Sequence, residues 1–156
     1  FEVLHPPPSY YAQPRMKTND LSCVVRVTSG AGRALLTGDI EARSEMDLLQ
    51  RDAGALRAEV LVVPHHGSIS SSTPAFIGAV APDAAVFTPG YRNRFGHPRP
   101  EVVARYAQFG ATLHRTDRDG ALTFVFAPGA SRAPRAERSH AARYWREPAR
   151  ATSRLD

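Results

Sequence analysis

The spacing of apolar and polar positions along the chain alternates between two periods. Residues 21–27 are apolar and largely β-branched, residues 29–32 supply a Ser/Gly turn, and residues 33–36 are apolar again, which predicts a hairpin closed by Gly38-Asp39. A short strand over residues 1–4 precedes it, followed by a proline-rich loop over residues 5–18, because each proline fixes φ and removes a donor. Between Glu41 and Asp52 the apolar residues Met46, Leu48 and Leu49 sit among charges at helical spacing. Residues 60–63 form an apolar run stopped by Pro64, the mark of a strand buried on both faces. Thr73 then caps a helix with Pro74 in its first turn, running to about Val80. Residues 84–88 predict another strand, and residues 98–109 a helix with Val102, Val103, Tyr106 and Phe109 on one stripe, ended by Gly110. Residues 112–114 and 122–126 predict final strands around Asp119-Gly120. Strands alternating with helices argue an α/β layered sheet.

The polar residues become informative once this order is set, because in such sheets a ligand site lies outside the carboxyl ends of the strands. Three strand ends carry unusual chemistry. Asp39 follows the hairpin, His65 and His66 follow the buried apolar strand, and the third strand opens a long loop, residues 88–98, that carries Arg92, Asn93 and Arg94 and ends in His97. A carboxylate and one or two imidazoles suit a catalytic divalent ion such as Zn or Mn, and a pair of ions clamps both the attacking and leaving oxygens of a phosphodiester. The same residues also fit plainer roles: Asp39 as a helix cap, the His pair as loop structure, and His97 as a residue preceding a helix. His5, His114 and His140 have no partner at comparable spacing and read as non-ligands.

Composition narrows the class. At 156 residues with 42% hydrophobic and 22% charged, the chain is one domain of ordinary globular make-up. Its apolar runs fall far short of the roughly 20 residues that span a membrane. A single cysteine, Cys23, excludes an internal disulfide or thiolate metal cage. The net charge of +5 is unevenly placed: residues 131–156 hold seven arginines against three acids. Residues 129–156 therefore read as a basic, disordered tail and residues 1–128 as a near-neutral folded part. The chain opens at Phe1 with no initiator Met and no signal pattern, so it is expected to be a piece of a longer protein.

Five blocks, in this order, resemble one family: Asn19-Asp20-Leu21-Ser22-Cys23-Val24-Val25-Arg26-Val27; Leu35-Leu36-Thr37-Gly38-Asp39-Ile40-Glu41 with Glu45; Val63-Pro64-His65-His66-Gly67-Ser68 with Ser71-Ser72; Asn93-Arg94-Phe95-Gly96-His97-Pro98; and Arg115-Thr116-Asp117 with Gly120. They resemble the carboxyl-terminal metallo-β-lactamase-like domain of ComEC, the competence protein through which transformable bacteria take up DNA. Tyr144-Trp145-Arg146 is similar to the tail of proteobacterial members. The resemblance implies an αββα sandwich with a dinuclear metal site and a nuclease role in DNA internalisation. By position, Asp39 resembles the bridging carboxylate, and His65 or His66 the later His ligand, with His65, nearer the strand end, preferred. His97 resembles a substrate-side catalytic residue, with Arg92, Asn93 and Arg94 facing phosphate and Ser68 and Ser22 weaker candidates.

The family's His-x-His-x-Asp-His run is absent, so the chain matches the second half of the sandwich. The resemblance then implies a partial αββα fold with one bare sheet face, weak metal binding and no hydrolysis by this chain alone. Its partners would be single-stranded DNA, the missing amino-terminal half and a membrane channel segment. The parent would sit at the inner membrane with this domain on the periplasmic side, while the fragment is soluble. Two other readings stand beside it: a non-catalytic DNA-binding module built on the arginine tail and the 92–94 loop, and another hydrolase of the same fold, since fold does not fix substrate.

Overall fold

A computed structural model describes residues 1–13, 15–130 and 133–141. The chain begins with β1 (Glu2–His5) and a one-turn helix α1 (Pro8–Tyr11). The hairpin follows as β2 (Val24–Ser29) and β3 (Gly32–Leu36). Three strand–helix crossovers come next: α2 (Ala42–Asp52) leads to β4 (Val60–Val62), α3 (Pro74–Val80) to β5 (Ala84–Phe87), and α4 (Pro100–Gln108) to β6 (Thr112–Arg115). The last elements are short: α5 (Thr116–Asp119), β7 (Leu122–Thr123), β8 (Arg135–Ala136) and α6 (Glu137–His140).

The first six strands form one mixed sheet in sequence order. β1, β2 and β3 pair antiparallel, and β3 to β6 pair parallel. A parallel pair needs a long crossover, and here each crossover carries a helix. Strand order advances in one direction, so right-handed crossovers put α2, α3 and α4 on one face of the sheet. That face holds the main core: Leu48 from α2, Phe76, Ile77 and Val80 from α3, and Val102 and Tyr106 from α4, packed on Leu35, Leu61, Ala85 and Phe87. Tyr106 meets Phe87 edge-on at 5.5 Å between ring centres.

The other face is unequally covered. Residues directly opposite across paired strands share a face, and the registers align Val3, Val25, Leu36, Val62, Val86 and His114 in one row. At the β4–β5 end Leu122, Phe124 and Phe126 pack against Val60, Ala84 and Val86. At the hairpin end Val3 is 65% and Leu36 42% exposed.

Two segments differ from the sequence reading. Residues 122–126 do not extend the main sheet: Leu122–Thr123 pairs antiparallel with β8, and Phe124 and Phe126 lie over the sheet instead. Asp119 accepts a hydrogen bond from the Arg115 backbone N–H at 2.8 Å, turning the chain at the end of β6 into α5. The stretch from 129 onward is also not uniform, since β8 and α6 lie within it and Glu137 N–H donates to Ala121 O at 2.9 Å. Tyr144-Trp145-Arg146 and five of the seven arginines fall outside the described residues.

Candidate functional site

The carboxyl ends of β3, β4 and β5 are neighbours, so the residues that follow them share one rim of the sheet. After β3, Thr37 is buried and its hydroxyl donates to Val62 O at 2.7 Å, tying this end to β4. Gly38 takes φ +56°, and a Cβ there would stand 2.9 Å from the Ser22 Cβ. Asp39 N–H then donates to Ser22 Oγ at 3.2 Å. Ser22 thus fixes the turn that presents Asp39. Glu41, not Asp39, occupies the N-cap position of α2, without a side-chain capping hydrogen bond.

After β4 the backbone does something the residue types do not announce. His65 (φ 49°), His66 (φ 55°) and Gly67 (φ 83°) are all left-handed, where a non-glycine residue costs of order 1–3 kcal/mol. The turn is held by His65 N–H to Gly38 O at 3.0 Å, Ser68 N–H to His65 O at 2.9 Å, and Ser71 Oγ to Pro64 O at 3.0 Å. A Cβ on Gly67 would meet the Pro98 Cβ at 2.7 Å and Phe87 Cδ1 at 2.9 Å, so only glycine lets the 88–98 loop lie this close.

The two imidazoles therefore separate. His66 stands over β3, with Nε2 3.4 Å from Asp39 Oδ1, and its Nδ1 meets Thr88 Oγ1 from the end of β5 at 3.1 Å. His65 turns toward the helix layer, with Nδ1 3.3 Å from Ser70 Oγ and 3.7 Å from Glu41 Oε1. Its ring centre lies 5.9 Å from that of His97. The expected set Asp39, His65, His66 and His97 is brought to one rim. The imidazole beside Asp39, however, is His66 rather than His65.

In the third loop Asn93 acts as a clip. Its Nδ2 donates to His97 O at 2.7 Å and to Gly90 O at 3.4 Å, while Oδ1 accepts from His97 N–H at 2.9 Å. Asn93 and the buried Ser68, whose hydroxyl pairs with Ser70 Oγ at 3.1 Å, direct their polar groups into their own loops. Arg92 and Arg94 are exposed.

Electrostatics follow from this packing. Burial pushes the His97 imidazole below its ordinary value, reinforced by the charges of His65, Arg99 and His66 and opposed by Asp39. Glu41 is pushed up by partial burial, but hydrogen bonds from Lys17 and Asn19 and the charges of Lys17 and His65 outweigh that and hold it below the usual carboxylate range. Two of the other histidines have structural partners: His5 is buried with Nε2 2.9 Å from Asp20 O, and His114 packs edge-on against Phe124.

Asp39 and His66 fit two corners of a metal site. Imidazole and carboxylate ligands lie about 2.0–2.2 Å from zinc, so a tetrahedral pair stands about 3.4 Å apart, which is the Asp39–His66 separation. The Thr88 contact at Nδ1 is the outer support that metal-bound imidazoles use to fix tautomer and orientation. Among the described residues no group of three or more His, Cys, Asp or Glu is arranged to hold an ion. Sequence reasoning missed Thr88, Glu41 and Ser70. The two-residue spacing of Asp39 and Glu41 and the serine run after the His pair were the available signals.

Comparison with known proteins supports the competence-protein part of the resemblance read from the motifs. The chain is 39% identical over 135 residues to the Competence protein ComA of Neisseria gonorrhoeae, covering 86% of this chain and 19% of that protein. It is 32% identical over 108 residues to the ComE operon protein 3 of Bacillus subtilis (69% and 14%). It is 33% identical over 108 residues to the Recombination protein 2 of Haemophilus influenzae (69% and 13%). The chain spans less than a fifth of the length of these relatives. No family model matches it.

Proposed function

We propose that this chain is a segment of a ComEC-like DNA-uptake protein and carries one wall of a divalent-metal phosphodiesterase site in a metallo-β-lactamase-like domain. The observation that carries the reading is the Asp39–His66 pair, 3.4 Å apart and braced by Thr88, at the ends of adjacent parallel strands. Its likeness to competence proteins supports a DNA strand as the substrate class. Asp39 and His66 would hold the ion, with His65 next to it against Glu41 and Ser70. A divalent ion in such a site lowers the pKa of bound water and polarises the phosphodiester. His97, whose pKa burial lowers, would carry a proton on the substrate side, and Arg92 and Arg94 would contact phosphate. Two donors make a weak site, so the remaining ligands would come from another part of the parent, whose sheet would pack against the exposed Val3 and Leu36. No described helix is long and apolar enough to cross a membrane; on the competence reading the domain would lie on the periplasmic side of a membrane-embedded parent.

The test is cleavage of single-stranded DNA by the full-length parent with Mn²⁺ or Zn²⁺. Activity should fall at least a hundredfold in Asp39→Ala and in His66→Ala, on the order of one lost metal ligand or its support. Activity that survives both substitutions together rejects the assignment. The two-donor set favours a second reading for the chain on its own, a DNA-contacting module without chemistry. Binding by the isolated chain that weakens steeply with salt and ignores chelators supports it.

A further inference from the structure

The 88–98 loop holds two aromatic side chains that the fold leaves outside. Tyr91 is 56% and Phe95 61% exposed, four residues apart on a loop without a single acidic residue. Lone exposed apolar residues are ordinary, but these two come with cations. The Arg92 guanidinium lies over the Tyr91 ring at 5.1 Å, that of Arg94 over the Phe95 ring at 5.0 Å, and that of Arg138 from α6 within 6.0 Å of Tyr91. Phe95 in turn lies nearly parallel to the His97 ring, 17° and 6.0 Å apart, and His97 stands 5.9 Å from His65. A row of flat rings therefore leads from the loop tip to the rim that carries Asp39 and His66. The Asn93 clip fixes the loop in this form before any ligand arrives, which lowers the entropy cost of binding.

Aromatic faces interleaved with guanidinium groups are the chemistry that grips unpaired nucleic acid: rings stack on bases, and cations follow the backbone. We propose that Tyr91 and Phe95 are a stacking platform for the bases of a single DNA strand, with Arg92 and Arg94 on the adjoining phosphates, feeding the strand toward the Asp39–His66 rim. The proposal deepens the DNA reading above and rests on it. A duplex hides its base faces, so the platform selects single strands, and every base offers a face, so it reads no sequence.

The test uses the 156-residue chain and three fluorescent probes at one salt concentration: a thymidine oligonucleotide of about 15 residues, matching the upper end of known single-strand site sizes, an abasic deoxyribose-phosphate oligomer of the same length, and a duplex. The wild type should bind the thymidine strand about tenfold or more tighter than the abasic strand or the duplex. Tyr91→Ala with Phe95→Ala should abolish that preference, leave abasic binding unchanged, and leave the circular dichroism spectrum intact because both rings are exposed. Arg92→Gln with Arg94→Gln should weaken thymidine and abasic binding alike and flatten the salt dependence by about 0.7 per arginine. A wild type that binds strongly but equally to thymidine and abasic strands, or a double aromatic variant that still prefers thymidine, overturns the platform while leaving the DNA reading standing. A wild type that binds none of the three probes overturns the platform, and cleavage by the full-length parent then decides the DNA reading.

Discussion

Replacing Glu45 by glutamine removes one oxygen acceptor from a fully buried polar contact. Glu45 sits on α2 with no exposed surface, and its carboxylate accepts from the backbone N–H groups of Ser72 and Thr73, the latter at 2.8 Å. Those contacts hold Ser72 at φ 61° and start α3, so they anchor the far end of the segment that carries His65 and His66. Arg105 donates to Ser71 O and Ser72 O, and Tyr106 donates to Ser72 Oγ, closing the same network from α4. Glutamine keeps the shape but offers one carbonyl, and its NH₂ then faces an N–H. One buried donor left without a partner costs about 1–3 kcal/mol. E45Q should lose about 2 kcal/mol at neutral pH, a fall in melting temperature of about 4–8 °C for a domain of this size. The pH dependence gives an independent check. Burial raises the Glu45 pKa above 4.5, and the Thr73 and Ser72 hydrogen bonds and the Arg105 charge pull it only part of the way back. Between 4.5 and the folded value the native state binds more protons than the unfolded chain, so wild-type stability falls as pH rises through that window. Glutamine does not titrate, so the wild-type lead is largest at acid pH, where the protonated carboxyl still has two oxygens that accept, and narrows toward neutrality. Urea unfolding of both proteins at about pH 4.5 and about pH 7 reads this difference, and contributions from other groups cancel in it. A lead that widens with rising pH, or no lead at either pH, refutes the reasoning.

Three further outcomes follow from the same packing. Gly67→Ala meets Pro98 and Phe87 inside van der Waals contact at φ +83° and should cost about 3 kcal/mol, combining left-handed strain with overpacking; a thermal melt within about 2 °C of wild type would contradict it. On the unequally covered sheet face, Leu36→Arg should change stability by less than about 0.5 kcal/mol while Val86→Arg, 6% exposed beneath the Phe124 cover, should cost about 3 kcal/mol or more; equal costs in denaturant unfolding would mean the face is covered uniformly. Burial holds His5 below 6.5, opposed chiefly by its Asp20 backbone hydrogen bond and Asp47, so its contribution is complete above about pH 6.5 and is lost as pH falls toward the folded value; His5→Gln should flatten the stability profile over that window, and an unchanged slope would rule it out.

The elements that sequence rendered legible are those whose local chemistry and burial agree. Thr73-Pro74 marks the start of α3, and the structure begins that helix at Pro74 with Thr73 Oγ1 accepting from Phe76 N–H at 3.3 Å. The apolar run after Glu59 becomes β4, flanked by β3 and β5. Residues 122–126 alternate, with Leu122, Phe124 and Phe126 on one side, and only their first two positions pair as a strand. Alternation reports that one side of an extended segment is buried, not that its backbone has a neighbour. A segment laid across a sheet face satisfies the same pattern as a strand within a sheet, so the pattern alone could not separate them.

The site shows a sharper limit of the same kind. Choosing between His65 and His66 by distance from the strand end assumes that the chain leaves β4 extended, where consecutive side chains point to opposite sides. It leaves β4 through two left-handed histidines instead, and nothing in the residue types signals positive φ before Gly67. At about 1–3 kcal/mol each, those two conformations persist only because the Gly38 carbonyl, the Ser71 hydroxyl and the close Gly67–Pro98 contact together leave the turn no other shape. The consequence of that strain is geometric: it carries the His66 ring back over the end of β3 to Asp39 and into reach of Thr88, while sending His65 to Glu41. A relaxed, extended turn would lose both pairings at once. The backbone strain and the paired imidazole–carboxylate contacts are therefore one feature of the fold, and relieving the first by any substitution that straightens the 64–67 turn should abolish the second.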